Sequence, residues 1–221
     1  WLAYAMNGVV WNEDGTLNEE SVMEALKYME TLVKEELVAP EDKTSSGMDA
    51  YKRLTGGSAS FLTGPTSFVS RSTNEEECSV VGQITPILMP GKEAKSEVTM
   101  ALPEGLGVTK FSENKEAAKK FVEWYTSADM QKELNASNSA IPTRNSVLKS
   151  LVEDGTIKNA GAMMDEAERI VSPFPNGIPA YYAEMSSAMY NAINKMALGE
   201  MTAEEAFEDM NAKITELVEQ E

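Results

Sequence analysis

The sequence predicts a helix-rich α/β protein, and three observations carry that expectation. After Asn18, the residues Val22, Ala25, Leu26, Met29, Leu32, Val33 and Leu37 recur at i, i+3, i+4 spacing, which marks a helix with one face in a core. In residues 102–110, Gly105 and Gly107 interleave with Leu106 and Val108, like a short strand that another backbone or a ligand can approach closely. That stretch runs into residues 112–127, where Ala117, Ala118, Phe121, Val122, Trp124 and Tyr125 supply the apolar stripe of an amphipathic helix.

The elements follow in chain order from caps and breakers. Asn18 caps the first long helix, which closes near Pro40, and residues 41–47 form a polar loop. Met48, Tyr51 and Leu54 line a short helix stopped at Gly56-Gly57. Residues 59–62 read as a buried strand. Pro65 then stands at the first position of a helix, with Thr66, Ser67 and Phe68 in its first turn and free N–H groups pointing outwards. Two readings of this junction stand side by side: donors for ligand hydroxyls with Phe68 as a stacking face, or a tight turn with Phe68 in the core. Residues 80–88 read as a strand made irregular by Gly82 and Pro86, residues 90–97 as a charged loop, and residues 98–101 as extended chain.

Ser112 and Ser127 are the expected N-caps of the next two helices, the second carrying Met130 and Leu134, and Ile141 is pushed towards extended geometry by Pro142. A short helix over 146–153 stops at Asp154-Gly155, and another covers 157–170. Three prolines make residues 172–179 a loop. Tyr181 and Tyr182 open a helix continued by Met185, Met189, Ile193 and Met196 and ended by Gly199. Thr202 with Glu205 forms a capping box for the last helix, whose Phe207, Ile214 and Leu217 face inward.

Composition removes several classes of function. With 221 residues the chain can bury one good core or two small ones. A formal charge of −17 argues against nucleic acid and anionic membrane surfaces, because phosphate binding needs clustered Lys and Arg. No apolar run is long enough to span a bilayer. The absence of histidine rules out Ser-His-Asp and Cys-His nucleophile systems and His-based zinc or iron sites. Cys78 has no cysteine partner and lies beside Glu75, Glu76 and Glu77, which disfavour a thiolate; it reads as an ordinary buried or semi-exposed thiol. Paired carboxylates such as Glu19-Glu20, Glu35-Glu36 and Glu204-Glu205 fall on helix starts and polar faces, where charge is solvated. Only Glu104, between Pro103 and Gly105, has a setting that recesses it, as a ligand contact before a catalyst. The fourteen methionines fall mostly at core spacing, as at Met185, Met189 and Met196. The adjacent tyrosines diverge by about 100° on a helix, so one packs inward while the other faces out; core packing, stacking on a ligand and, more remotely, metal ligation are the readings of this pair.

The order of motifs carries a family resemblance. The glycine-rich strand, the helix beginning Ser-Glu-Asn-Lys-Glu-Ala-Ala-Lys-Lys-Phe at Ser112, Thr126-Ser-Ala-Asp-Met-Gln131 and Ile141-Pro-Thr-Arg-Asn-Ser-Val147 together resemble the extracellular solute-binding proteins of carbohydrate ABC importers, family 1, the maltose-binding-protein-like group. Upstream, Asp14-Gly-Thr-Leu-Asn18 and Gly57-Ser-Ala-Ser-Phe-Leu-Thr-Gly-Pro65 fit the same order; downstream, Leu198-Gly-Glu-Met-Thr-Ala-Glu-Glu-Ala206 resembles the closing helix.

The resemblance implies a type II periplasmic-binding-protein-like fold, a discontinuous two-lobe architecture in which the N-terminal lobe is largely missing. Residues 1–101 and 142–221 would form the C-terminal lobe, with 102–141 a segment of the other lobe between hinge crossings. The apolar face carrying Phe121, Val122 and Trp124 would then lack its intended partners. The resemblance further implies no enzyme activity and no cofactor, but reversible capture of a sugar or oligosaccharide in an interlobe cleft and delivery to ABC importer permease subunits. Location would be extracytoplasmic, with the membrane reached only through a lipid anchor outside this chain. The candidate ligand contacts are Trp1, Tyr4, Gly64, Pro65, Ser67, Phe68, Glu104, Tyr181 and Tyr182, with no metal site. Alternatives are a polyamine or another small solute held by acidic residues, a carboxylate-based hydrolase, and a helical interaction module.

Overall fold

The computed structural model describes residues 1–94, 96–101, 105–174 and 176–220. In chain order the elements are α1 (Leu2–Asn7), α2 (Glu19–Lys34), a 3-10 turn (Pro40–Lys43), α3 (Gly47–Thr55), α4 (Ser67–Arg71), β1 (Thr99–Met100), α5 (Lys115–Tyr125), α6 (Ala128–Asn138), α7 (Asn145–Glu153), α8 (Gly161–Ala167), β2 (Ile170–Val171), α9 (Tyr182–Ala197) and α10 (Ala203–Glu219). The chain forms two compact units: Trp1–Ala50, Leu88–Ala101 and Arg169–Glu221 in the first, Tyr51–Ile87 and Leu102–Glu168 in the second.

The first unit is organised around α10. Thr202 accepts a hydrogen bond from the Glu205 N–H while the Glu205 carboxylate accepts one from the Thr202 N–H, so the expected capping box is complete. This cap starts a helix whose Ala206, Phe207, Met210, Ile214 and Leu217 form one buried face. That face packs on Met185, Ala192 and Met196 of α9 and on Val22 and Leu26 of α2 in one continuous core. The buried methionines here fill gaps between helices, as their spacing anticipated. Asn18 caps α2 by accepting from the Ser21 N–H at 3.1 Å. The same Asn18 side chain donates to the Asn12 Oδ1 at 3.1 Å, tying the helix start to a tight hairpin over residues 10–18. In that hairpin Trp11 bridges Leu17, and Gly15 turns the chain at φ +86°. Ser21, itself buried, donates to the Val9 carbonyl at 2.6 Å and so fixes the near arm. β1 and β2 pair in parallel, Thr99 with Ile170 and Met100 with Val171, and Arg169 Nη1 donates to the Ser96 carbonyl at 3.0 Å beside them.

The second unit has a smaller core, in which Val147, Leu148 and Leu151 of α7 meet Ile157, Ala160 and Met163, with Val69 and Ile141 against the edge. Ser127 caps α6 through the Met130 N–H, as expected. Ser112 does not cap α5: the N-cap is Asn114, and the Ser112 hydroxyl instead accepts from the Asn114 N–H, closing a turn before the helix. No residue of α5 is buried; Phe121, Trp124 and Tyr125 cover one another, with Phe121 and Trp124 exposed. Cys78 is buried.

Three strand expectations fail among the described residues. Residues 59–62 carry no ladder bonds and Phe61 is 89% exposed, residues 80–88 are turn and irregular chain, and residues 105–109 are unpaired. A strand is stable only when its N–H and C=O groups find a neighbouring strand, and alternation in sequence cannot supply one. The first long helix stops at Lys34, five residues before Ala39, because Glu36 takes a left-handed conformation and the Leu37 N–H turns back to the Leu32 carbonyl. The helix expected over 157–170 is cut to α8, and Ile170 joins β2.

Candidate functional site

A run of aromatic rings in the first unit is built by three segments. The hairpin presents Trp11, the proline-rich loop presents Phe174, and the start of α9 presents Tyr182. Trp11 and Phe174 lie 5.6 Å apart between centroids at a tilt of 36°, and Tyr182 meets Phe174 edge to face at 5.7 Å and 88°. Such offset geometries are the favourable ones for rings whose faces are negative and edges positive. Trp11 and Phe174 are half-buried against the α10 core, while Tyr182 is exposed.

The loop carrying Phe174 is held from both sides. Its Pro173 carbonyl accepts from Trp11 Nε1 at 2.8 Å and from the Tyr4 hydroxyl at 3.0 Å. The Ser172 hydroxyl donates to the Phe174 carbonyl at 2.8 Å and accepts from the Phe174 N–H at 3.3 Å. Asn176 reaches across to the Glu13 carbonyl on the hairpin at 3.4 Å. A Cβ on Gly15, at the hairpin tip, would stand 3.7 Å from the Tyr181 hydroxyl oxygen, which places Tyr181 beside the same hairpin.

Electrostatically this region is acidic and free of cations along its own segments, since neither residues 1–26 nor residues 170–194 contain Lys or Arg. Asp14 is held ionised below its usual range by the Thr16 hydroxyl and N–H. Burial pushes the Tyr4 phenol upward, so its hydroxyl stays a donor. No group of acidic and thiol side chains among the described residues could hold a metal ion.

The residues singled out from sequence divide between the two units. In the first, Tyr4 is 5% exposed with its hydroxyl bound to Pro173, Tyr181 is half-buried against the core, Tyr182 is exposed, and Trp1 is exposed at the start of α1. In the second, α4 begins at Ser67 and not at Pro65, and Thr66 is its N-cap without a side-chain bond. The Phe68 N–H donates to the Pro65 carbonyl and the Val69 N–H to that of Thr66, both at 3.0 Å, so this turn uses amides that the sequence left free for a ligand. Phe68 stacks on Tyr51 at 4.3 Å and 30°, and a Cβ on Gly64 would stand 2.7 Å from its ring, so packing occupies much of that ring's surface. Glu104 lies outside the described residues.

Two site residues escaped the sequence reading. Trp11 precedes Asn-Glu-Asp-Gly-Thr, a turn signal that places an aromatic on a hairpin arm, and Phe174 stands between prolines in a loop just before the tyrosine pair. Neither lies on a periodic stretch, so helical spacing could not select them.

Comparison with known proteins gives one family and one fold. Residues 2–132 match the model of the bacterial extracellular solute-binding proteins. Among solved structures, the maltose-bound MalE3 of T. maritima is 24% identical with a TM-score of 0.80, over 98% of this chain and 56% of that one. The maltose complex of the periplasmic maltose-binding protein MalE of Listeria monocytogenes is 21% identical with a TM-score of 0.68, over 100% and 57%. An ABC substrate-binding protein of Listeria monocytogenes in complex with cycloalternan is 18% identical with a TM-score of 0.71, over 97% and 54%. The chain thus spans little more than half the length of the structures it matches, and its fold is of the periplasmic-binding-protein type, helix-rich here. No described helix is long and apolar enough to cross a membrane. On the match of residues 2–132, more than half of its length, the chain belongs to the bacterial extracellular solute-binding proteins.

Proposed function

We propose that the full-length protein reversibly captures a sugar or oligosaccharide and hands it to the permease of an ABC importer, without chemical change to the ligand. The observation that carries this reading is the aromatic run Trp11–Phe174–Tyr182, half-buried and exposed rings on segments that bring no cation. The C–H faces of a pyranose pack on such rings, and hydroxyls pair with nearby amide and carboxylate groups. Structural neighbours solved with maltose and with cycloalternan support the same ligand class.

Ligand binding would favour a closed form of the full-length protein only through contacts made in that form and not in the open one. Tyr182 and Tyr181 join Trp11 and Phe174 as contacts in the first unit; Trp1, Gly64, Pro65, Ser67, Phe68 and Glu104 remain candidates. The assignment of 102–141 to one lobe and of 1–101 and 142–221 to the other belongs to this proposal. So does an extracytoplasmic site of action, with a lipid anchor borne by sequence outside these residues.

A thermal-shift screen of the full-length protein against sugars, polyamines and peptides tests the assignment, since a ligand that binds only the native state raises the melting midpoint. A rise with maltose or a longer glucan is expected. A rise with polyamines alone would overturn the carbohydrate assignment in favour of an acidic solute site.

A further inference from the structure

We propose that Tyr4 is a positioning residue: with Trp11 it saturates the Pro173 carbonyl and thereby sets the orientation of Phe174 in the aromatic run. The inference rests on the carbohydrate reading above only for what the Phe174 ring does once it is placed.

A backbone carbonyl has two lone pairs, and here both are taken, one by Trp11 Nε1 at 2.8 Å and one by the Tyr4 hydroxyl at 3.0 Å. The two donors come from different pieces of local structure, α1 and the 10–18 hairpin; the Ser21 hydroxyl sits between them, donating to the Val9 carbonyl at 2.6 Å with the Ala3 carbonyl oxygen 3.4 Å away. They therefore define the position of one loop atom from two directions. The Pro173 carbonyl and the Phe174 N–H share one peptide plane, so holding that oxygen fixes the plane from which Phe174 departs. The Ser172 hydroxyl bridges the N–H and carbonyl of Phe174 itself, and the Gly177 N–H donates to that same carbonyl at 3.2 Å. Phe174 is in this way fixed by hydrogen bonds on both sides, while its ring has Trp11 and Tyr182 as its aromatic neighbours among the described residues.

Two consequences follow for recognition. Tyr4 acts through Phe174 and touches no ligand, because its ring is buried and its hydroxyl is committed. The Pro173 carbonyl is no acceptor for a sugar hydroxyl, so hydroxyl pairing near Phe174 falls to other groups.

The test uses Tyr4→Phe in the full-length protein, which keeps the ring and removes one donor, with Trp11→Phe as a second variant that removes the other. In the ligand-free state, hydrogen exchange of the peptide spanning residues 172–178 should speed by about 2- to 10-fold in Tyr4→Phe, the loss of one ordinary hydrogen bond. Exchange across residues 206–217 of α10 should stay unchanged. Equal protection of 172–178 in wild type and in both variants overturns the pin; faster exchange everywhere in the unit would make Tyr4 a general packing residue and overturn it too. Maltose affinity is then measured in a double-mutant cycle with Phe174→Ala. Tyr4→Phe should weaken maltose by about 2- to 10-fold alone and by less than about twofold in the Phe174→Ala background. An equal loss in both backgrounds refutes action through Phe174. If local exchange responds and no sugar binds, the pin stands and the carbohydrate reading falls.

Discussion

Removing a single oxygen from Tyr4 or from Tyr51 should move stability in opposite directions. Both rings are buried, at 5% and 2% exposure, so a Tyr→Phe change leaves packing almost untouched at either site. The hydroxyls differ. That of Tyr4 donates to the Pro173 carbonyl, whereas that of Tyr51 is sealed from solvent and has no hydrogen-bond partner among the described residues. Losing the first costs one net hydrogen bond, about 1 kcal/mol, and no more, because Trp11 still satisfies the carbonyl left behind. Losing the second removes a desolvated group that gained nothing in return, so Tyr51→Phe should stabilise by about 1 kcal/mol, within a range of roughly 0 to 2. The separation between the variants is then about 2 kcal/mol. Urea unfolding followed by hydrogen exchange reads it, because exchange reports the unit containing each residue separately. Ultraviolet titration gives a second signature: burial, with the Glu77 carboxylate and Cys78 adding to it and Arg71 opposing, pushes Tyr51 up to about 12, and that late transition should vanish in Tyr51→Phe. If Tyr51→Phe destabilises its unit by 1 kcal/mol or more, the hydroxyl is bonded in solution and the reasoning fails.

Two further outcomes can be checked with the same instruments. Ile214→Ala, at a fully buried position on the central helix of the first unit, should cost about 2–5 kcal/mol and raise exchange across α2, α9 and α10 while sparing α7; Leu148→Ala should do the converse, and loss of protection in both units from either variant would show that they unfold as one. As for pH, burial raises Tyr51 in the folded state, so the unfolded chain ionises first: Tyr51 leaves stability unchanged below about pH 10 and lowers it as pH climbs towards about 12. Asp14 and Asp154 are lowered by their Thr16 and Thr156 partners, so their contribution is present above the ordinary carboxylate range and lost as pH falls through it, a small effect at such exposed sites. An unfolding midpoint insensitive to alkali up to pH 12 would contradict the Tyr51 assignment.

Helices were the legible part of this molecule. Asn18, Ser127 and the Thr202–Glu205 pair cap the helices that the sequence assigns to them, and helical spacing picks out Val22, Ala25 and Leu26 of α2, Met185 and Met196 of α9 and Phe207, Ile214 and Leu217 of α10 as buried; Leu37, assigned to the same face as Val22, lies past the end of α2 and is 66% exposed. A helix satisfies its backbone within one segment, so caps and period are local information. Strands failed for the complementary reason. Residues 59–62, 80–88 and 105–109 have strand-like composition, but none finds a ladder among the described residues, and the two-residue strands that do pair join Thr99 to Ile170 across 71 positions of sequence.

The candidate site divides along the same line. The sequence by itself determined the family order of motifs, the acidity, the absence of histidine chemistry and that the two tyrosines at the start of α9 diverge, because each of these is written in residue identity and neighbouring positions; that Tyr182 is the exposed one came from the structure. Only the tertiary structure decided that Trp11 and Phe174 belong with Tyr182, that Tyr4 serves the loop from within, and that Phe68 stacks on Tyr51. Those facts depend on hydrogen bonds and ring contacts between residues as far apart as Tyr4 and Pro173, and no local pattern encodes which distant carbonyl a buried hydroxyl will meet.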